Sequence, residues 1–271
     1  MIDKSVTVNA EECYSEAYLP SLCDPTKKLV DNYNIAEKFY HSQVKKLNAK
    51  PQDKEDVLTS MKKLQNLGYV SKFTDLSDAQ QALIESSPVK YYIPWFAVWN
   101  ANSISTPCRA VFNASSQTAS GYSLNDLLPT GRNNLNKLIQ IFILWLTFFC
   151  AFCTDIQKMY NSIQLVERHW CYQLFLWDDE LRPDKIPERH VIKTLIYGVR
   201  TSGNQAERAL RETTKLFSEE YPRPNDIIQN QTYVHDCASG ETVFGKNGKG
   251  KLTIDMIGDE QVPHLTYIDD L

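Results

Sequence analysis

The run from Leu138 to Cys153, LIQIFILWLTFFCAFC, carries no charged side chain, and Asp155 follows it after a single threonine. It is shorter than the ~20 residues that a membrane-spanning helix needs, and no cluster of Lys or Arg flanks its C-terminal end. We therefore expect a buried helix that leads into a buried strand over 149–154 and delivers Asp155 at the strand's end. A membrane-associated protein built on this run is the alternative.

The overall composition is that of a globular protein, with 42% hydrophobic and 23% charged residues. The formal net charge of −4 predicts no general attraction to nucleic acid, although Lys and Arg confined to a groove could still supply one. The seven cysteines are an odd number, and the first residues lack the pattern of a secretory signal. We expect reduced thiols, a cytoplasmic or other intracellular location, and no membrane partner.

Periodicity and capping patterns predict a mixture of helices and strands. Helices are expected at 53–68, with Asp53 as its cap and Gly68 at its end, at 205–219, stopped before Pro222, and after Ser123, which opens a capping-box pattern. Strands are expected at 69–73, 91–99, 108–113, 149–154, 171–177, 191–197 and 232–234. Because helices and strands do not alternate strictly, the predicted fold class is α+β.

Two acidic positions follow predicted strands. Asp155 ends one strand, and Tyr233-Val-His-Asp236 ends a short hairpin-like one. A buried carboxylate is costly without a cation or a donor, and carboxylates from separate strands are what two-metal phosphoryl transfer requires. A strand-end aspartate and an ordinary polar turn explain the same residues, so spacing alone leaves both interpretations open.

Several motifs occur in one order along the chain. They are YYIPWFAV (91–98), CRAVFNAS (108–115), SGYSLNDLL (120–128), CTDIQKMY (153–160), TLIYGVRTSGNQAERALRETTKLF (194–217) and YVHDCASG (233–240). Together they resemble the reverse transcriptase domain of BEL/Pao-type LTR retrotransposons, over about Asn32 to Gly240.

The resemblance implies an RNA-directed DNA polymerase with right-hand architecture. Residues 31–245 would form the fingers and a ferredoxin-like palm, in which helices pack on one face of an antiparallel sheet. Residues 1–30 would be an N-terminal arm, and 246–271 an unassigned tail. The implied partners are an RNA or DNA template-primer, dNTPs and other parts of a retroelement polyprotein, in the cytoplasm, retroelement particles or the nucleus.

The resemblance also assigns roles to residues. Asp155 matches the first metal-binding aspartate, and the backbone from Ile156 onward would cradle the nucleotide triphosphate. Tyr160 matches the aromatic gate against a ribose 2′-OH. Arg109 resembles the fingers arginine that pairs with the triphosphate, and Tyr197-Gly198 matches a turn that touches template and nucleotide.

The palm hairpin departs from the family pattern Tyr-x-Asp-Asp, because this chain has Tyr233-Val-His235-Asp236. Asp155, His235 and Asp236 are the catalytic candidates, and Asp155 and Asp236 the ligands expected for two Mg²⁺ ions. Mg²⁺ prefers hard anionic oxygen to imidazole. Adjacent strand residues face opposite sides, so Asp236 is not expected to fill the place of the missing carboxylate. Magnesium-dependent polymerisation is therefore predicted to be severely reduced or absent.

Other positions depart in the same direction. Asn113 stands where the family has Asp, Trp95-Phe96 where a His pair is expected, and Gly203 where some relatives have Pro. The second hypothesis is accordingly a non-catalytic retroelement remnant that binds nucleic acid or a protein partner.

Overall fold

A computed structural model describes residues 4–9, 14–100, 108–241, 250–257 and 262–269, the last two ranges by their backbone alone. The strands are β1 (Val6–Asn9), β2 (Tyr14–Ala17), β3 (Val70–Lys72), β4 (Trp95–Trp99), β5 (Cys108–Phe112), β6 (Cys150–Asp155), β7 (Ile163–Leu165), β8 (Leu174–Trp177), β9 (Glu188–Ile192), β10 (Thr232–Tyr233), β11 (Asp236–Glu241), β12 (Gly250–Ile257) and β13 (Val262–Asp269). The α-helices are α1 (Tyr33–Asn48), α2 (Pro51–Asn66), α3 (Asp78–Glu85), α4 (Leu124–Leu127), α5 (Leu138–Trp145), α6 (Ser202–Leu216) and α7 (Pro222–Asn230).

The chain divides into two compact units. The first contains Met1–Ser5, Ala17–Thr130 and Gln164–Ser202, and the second contains Val6–Glu16, Gly131–Ile163 and Gly203–Leu271. Antiparallel pairing builds the sheets β3-β9-β8 and β4-β5 in the first unit, and β10-β11-β6 and β12-β13 in the second. Small antiparallel sheets combined with helices confirm the α+β class.

The core of the first unit is built on aromatic residues. Trp95 in β4 is buried, its indole N–H donates to the carbonyl of Leu176 at 2.9 Å, and its ring meets that of Trp177 at 4.9 Å. Tyr40 in α1 and Met61 in α2 bury their side chains in the same unit. Each ring removes a large apolar area from water, which is the main favourable term in folding.

Helix boundaries differ from the sequence prediction at prolines. Helix α2 begins at Pro51, so Asp53 lies in its first turn and does not cap it, while Gly68 follows the helix with a φ of +71°. Helix α7 begins at Pro222, where only a stop was predicted. Proline lacks an N–H and has a fixed φ, and both properties suit the first turn of a helix.

The prediction that the run 138–153 is buried is wrong. Helix α5 buries only Ile141, whereas Ile139 and Phe142 are exposed, and so are Leu146 and Phe149 beyond it. Among the described strands β6 pairs only with β11, and alternate residues of β6 face solvent even where they are apolar. Among the helices that the structure describes, none is long and apolar enough to cross a membrane.

The sheet β10-β11-β6 has one covered face, and its other face (the open face) is exposed along β6, where it carries Ala151, Cys153 and Asp155. Even-numbered residues of the β6 segment and Cys237 of β11 point to the covered face, where α6 and α7 pack. The apolar residues of this contact are Phe152, Ile156, Leu210, Ile227, Ile228 and Cys237. Asp155 and Asp236 are paired one position along from Thr154 and Cys237, so their side chains point to the open face, where they are exposed.

A buried carboxylate organises the connection between β8 and β9. The side chain of Asp178 is 1% exposed and accepts hydrogen bonds from Arg182 and from Lys185, whose Nζ lies 2.8 Å from Oδ1. Burial on its own would raise the pKa of Asp178, but the hydrogen bonds from these two cations outweigh it and hold the pKa well below its ordinary value.

Replacing Asp178 by Asn is expected to lower the free energy of unfolding by about 2 kcal/mol at neutral pH, because two cations lose a buried charged partner. Since the folded pKa is depressed, the native carboxylate stabilises the fold above about pH 4 and this contribution is lost as the pH falls. Urea titrations at several pH values measure the difference. Glu180→Gln is the control, since Glu180 pairs with the same Arg182 but is exposed. An equal effect of both substitutions would contradict the assignment.

Candidate functional site

Strand register brings the two predicted metal-binding carboxylates together. Tyr233 pairs with Asp236, so β10 and β11 form a hairpin whose two-residue turn is Val234-His235. Asp236 then lies directly opposite Asp155 in the neighbouring strand. Directly opposite residues share one face of an antiparallel sheet, with Cβ atoms about 4.5–5.5 Å apart.

The imidazole of His235 lies between these two carboxylates. Its Nδ1 is 2.8 Å from Oδ1 of Asp155 and 3.4 Å from Oδ1 of Asp236. One donor atom from each of the three side chains lies within 4.8 Å of the others. Two like charges directly opposite each other destabilise a sheet, so a positive charge placed between the two carboxylates would stabilise this pairing.

The turn corrects the sequence argument about side-chain alternation. His235 is a turn residue, outside the strands, and both it and Asp236 reach the face that carries Asp155. The preceding Val234 has a φ of +57°, a conformation that a β-branched residue rarely adopts and that costs of order 1–3 kcal/mol. The carbonyl of His235 accepts a hydrogen bond of 2.8 Å from the N–H of Ile156, which fixes the turn against the end of β6.

The donor set of this cluster does not fit a pair of magnesium ions. Two Mg²⁺ ions about 3.5–4 Å apart require bridging carboxylates and octahedral oxygen coordination. The cluster supplies two carboxylates, and its third donor is an imidazole nitrogen. Nitrogen is softer than oxygen and brings no negative charge, so these three side chains are poorly suited to hold a magnesium pair.

Of the other predicted residues, Tyr160 and the proposed triphosphate cradle belong to the same unit. Tyr160 is half-buried in the turn that follows β6, and a Cβ at Gly203 would lie 3.3 Å from its hydroxyl. A larger residue at position 203 would therefore press on Tyr160. The N–H of Ile156 already bonds to His235, so the cradle predicted from Ile156 onward loses its first donor.

Arg109, Tyr197 and Gly198 belong to the first unit. Arg109 is exposed on β5, opposite Val98, and Tyr197 is 53% exposed in the segment after β9. Gly198 has a φ of +99°, and a Cβ there would approach the carbonyl oxygen of Phe112 to 2.2 Å. This turn therefore requires glycine for two separate reasons.

Asn125 is a structural residue that the sequence analysis did not single out. It is buried in α4, and its side-chain amide donates to the carbonyl of Gly198 at 2.8 Å while its oxygen accepts from the N–H of Arg200 at 2.8 Å. The capping box of Ser123 and Asp126, which the sequence predicted, holds the helix that presents it. The position of Asn125 between the leucines of Leu124-Asn-Asp-Leu-Leu128 was the available signal, since a buried amide must find partners.

No protein-family model matches the chain, and no curated protein matches it at a significant level.

Substituting Gly198 by Ala is expected to lower the free energy of unfolding by about 3 kcal/mol, because the new methyl group meets a backbone carbonyl in a left-handed conformation. Gly121→Ala is the matched control: its φ is +81°, but no atom lies within 4 Å of the new Cβ, so only the conformational cost of about 1 kcal/mol applies. Chemical denaturation of both variants measures the difference, and equal losses would contradict the close approach to Phe112.

Proposed function

We propose that this chain is the fingers and palm part of a retroelement reverse transcriptase in which His235 has largely disabled magnesium-dependent polymerisation. The proposal combines the ordered motifs that resemble BEL/Pao-type elements with one structural observation, the opposition of Asp155 and Asp236 on adjacent strands. The resemblance draws these residues from separate motifs and expects them at one catalytic centre. Their juxtaposition supports the proposal because strand spacing alone does not predict it.

The layer arrangement around the sheet gives further support. Helices α6 and α7 pack on one face of β10-β11-β6, and the carboxylates lie on the other. Exposed carboxylates on the open face are accessible to a primer end and a dNTP, while packing on the covered face supplies rigidity. Rigid strands hold reacting groups more accurately than loops do, which is what nucleotidyl transfer requires.

The role of His235 follows from its position and charge. It takes the place at which the family pattern has the first of two consecutive carboxylates, and its ring reaches both remaining carboxylates. The site therefore has one anionic oxygen ligand fewer for the cations that would polarise phosphoryl oxygens. The same observation favours the second candidate function, a non-catalytic module that binds an RNA or DNA template-primer or another part of the polyprotein.

Primer extension on an RNA template with Mg²⁺ and dNTPs tests the proposal. The native chain is expected to incorporate little or no nucleotide, and His235→Asp is expected to raise the rate at least tenfold, since one charged oxygen ligand is worth a few kcal/mol in the transition state. His235→Asn is the matched control, because it supplies a similarly sized side chain without the charge.

Three results are distinguishable in this assay. Efficient incorporation by the native chain would contradict the disabling role of His235. Equal gains in the Asp and Asn variants would mean that relief of crowding, and not charge, is what matters. If no variant incorporates nucleotide while all remain folded by circular dichroism, the enzyme proposal fails and the non-catalytic function takes its place.

A further inference from the structure

We infer that Asp155, His235 and Asp236 form a binding site for a single divalent transition-metal ion and prefer ions such as Co²⁺ and Mn²⁺ to Mg²⁺. The inference rests on the proposed function in one respect, namely that these three side chains act as one cation site. It goes beyond it by assigning the site a different ion, because the donor set disagrees with the magnesium pair that the resemblance implies.

The geometry is within reach of coordination. Donor atoms that share one ion at about 2.1 Å lie about 3–3.5 Å from one another, and the three donors already lie within 4.8 Å. The side chains of Asp155 and Asp236 are 62% and 68% exposed, so rotation about their χ angles can close the remaining gap without disturbing the core. The strand pairing that sets their backbone separation does not have to change.

The imidazole nitrogen and the two carboxylates converge on one point. Nδ1 of His235 lies 2.8 Å from Oδ1 of Asp155 and 3.4 Å from Oδ1 of Asp236. An ion held between this nitrogen and the two carboxylates would remove the repulsion between Asp155 and Asp236.

The kind of ion follows from the kinds of donor. Mg²⁺ demands near-ideal octahedral oxygen coordination and gives up its water shell reluctantly. Imidazole suits later first-row ions, whose affinity for mixed nitrogen and oxygen sites rises from Mn²⁺ through Co²⁺ and Ni²⁺. One nitrogen, two carboxylate oxygens and water in the remaining positions therefore favour Co²⁺ over Mg²⁺.

A nearby thiol has to be separated from this site experimentally. Cys153 is exposed on β6 and shares the open face with Asp155, two residues away. Thiolates bind soft and borderline ions, so a cobalt signal could arise from Cys153. Cys153→Ser therefore serves as the matched control variant, since it removes the thiol and leaves the three proposed ligands in place.

The experiment titrates the full, folded chain with Co²⁺, Mn²⁺ or Mg²⁺, without nucleic acid or nucleotide, and follows heat release and the visible absorption of Co²⁺. The native chain is expected to bind one Co²⁺ at least tenfold more tightly than Mg²⁺. Asp155→Asn should weaken Co²⁺ binding at least tenfold, whereas Cys153→Ser should leave it unchanged. His235→Asp should lower the ratio of the Co²⁺ affinity to the Mg²⁺ affinity at least tenfold.

Several results would overturn the inference: no saturable binding, equal affinity for Mg²⁺ and Co²⁺, loss of Co²⁺ binding in Cys153→Ser, or an unchanged ion ratio in His235→Asp. Circular dichroism confirms that each variant is folded before titration. The titration does not measure polymerisation, so a negative titration would overturn the ion preference and leave the proposed function untouched. Primer extension tests the proposed function separately, and its result does not affect the ion preference.

Discussion

The antiparallel register between β6 and β11 is the constraint on which the site depends. The covered face of the sheet fixes it, because a one-residue shift of β11 against β6 would expose Cys237 and turn Asp236 towards α6 and α7 while Asp155 kept its place. Burying one apolar side chain contributes about 1.5–3 kcal/mol, whereas a pair of like charges directly opposite each other costs roughly 0.2–1 kcal/mol. Apolar packing on one face therefore holds Asp155 and Asp236 together on the other.

The hairpin turn adds the residue that decides the chemistry. Val234 occupies a left-handed conformation, and the backbone bond from Ile156 to His235 ties the turn to the end of β6. The imidazole is thereby held beside two exposed carboxylates. A carboxylate at position 235 would suit hard magnesium ions, and the imidazole suits softer ones. The strands, the register and the packing beneath them are the same in either case.

Sequence reasoning succeeded where the signal is local. The capping box at Ser123 and Asp126 involves neighbours within one turn, and the structure contains it as predicted. The strands β3, β5 and β8 lie within their predicted ranges for a similar reason, since β-branched and aromatic runs specify extended backbone. Strand β9 (Glu188–Ile192) begins earlier than predicted and shares only two residues with the predicted range 191–197. The pairing of Asp155 with Asp236 came from the resemblance, because these residues are distant in sequence and no periodicity relates them.

The failures concern tertiary surroundings. Whether the run 138–153 is buried depends on what packs against it, and only one face of β6 is covered. Pro222 begins a helix or ends one according to the segment that follows it. The structural role of Asn125 cannot be read from the sequence, because its hydrogen-bond partners Gly198 and Arg200 lie in a turn far along the chain.

The central claim is that Asp155 and Asp236 oppose each other across β6 and β11 and form one cation site. A double-mutant cycle with Asp155→Asn, Asp236→Asn and the double variant tests it most directly, with the free energy of unfolding measured in mildly alkaline buffer. With a chelator present, we predict an unfavourable coupling between the two carboxylates of about 0.5–1 kcal/mol, which becomes favourable at saturating Mn²⁺. A coupling near zero under both conditions would mean that the two side chains are not neighbours, and it would contradict the account.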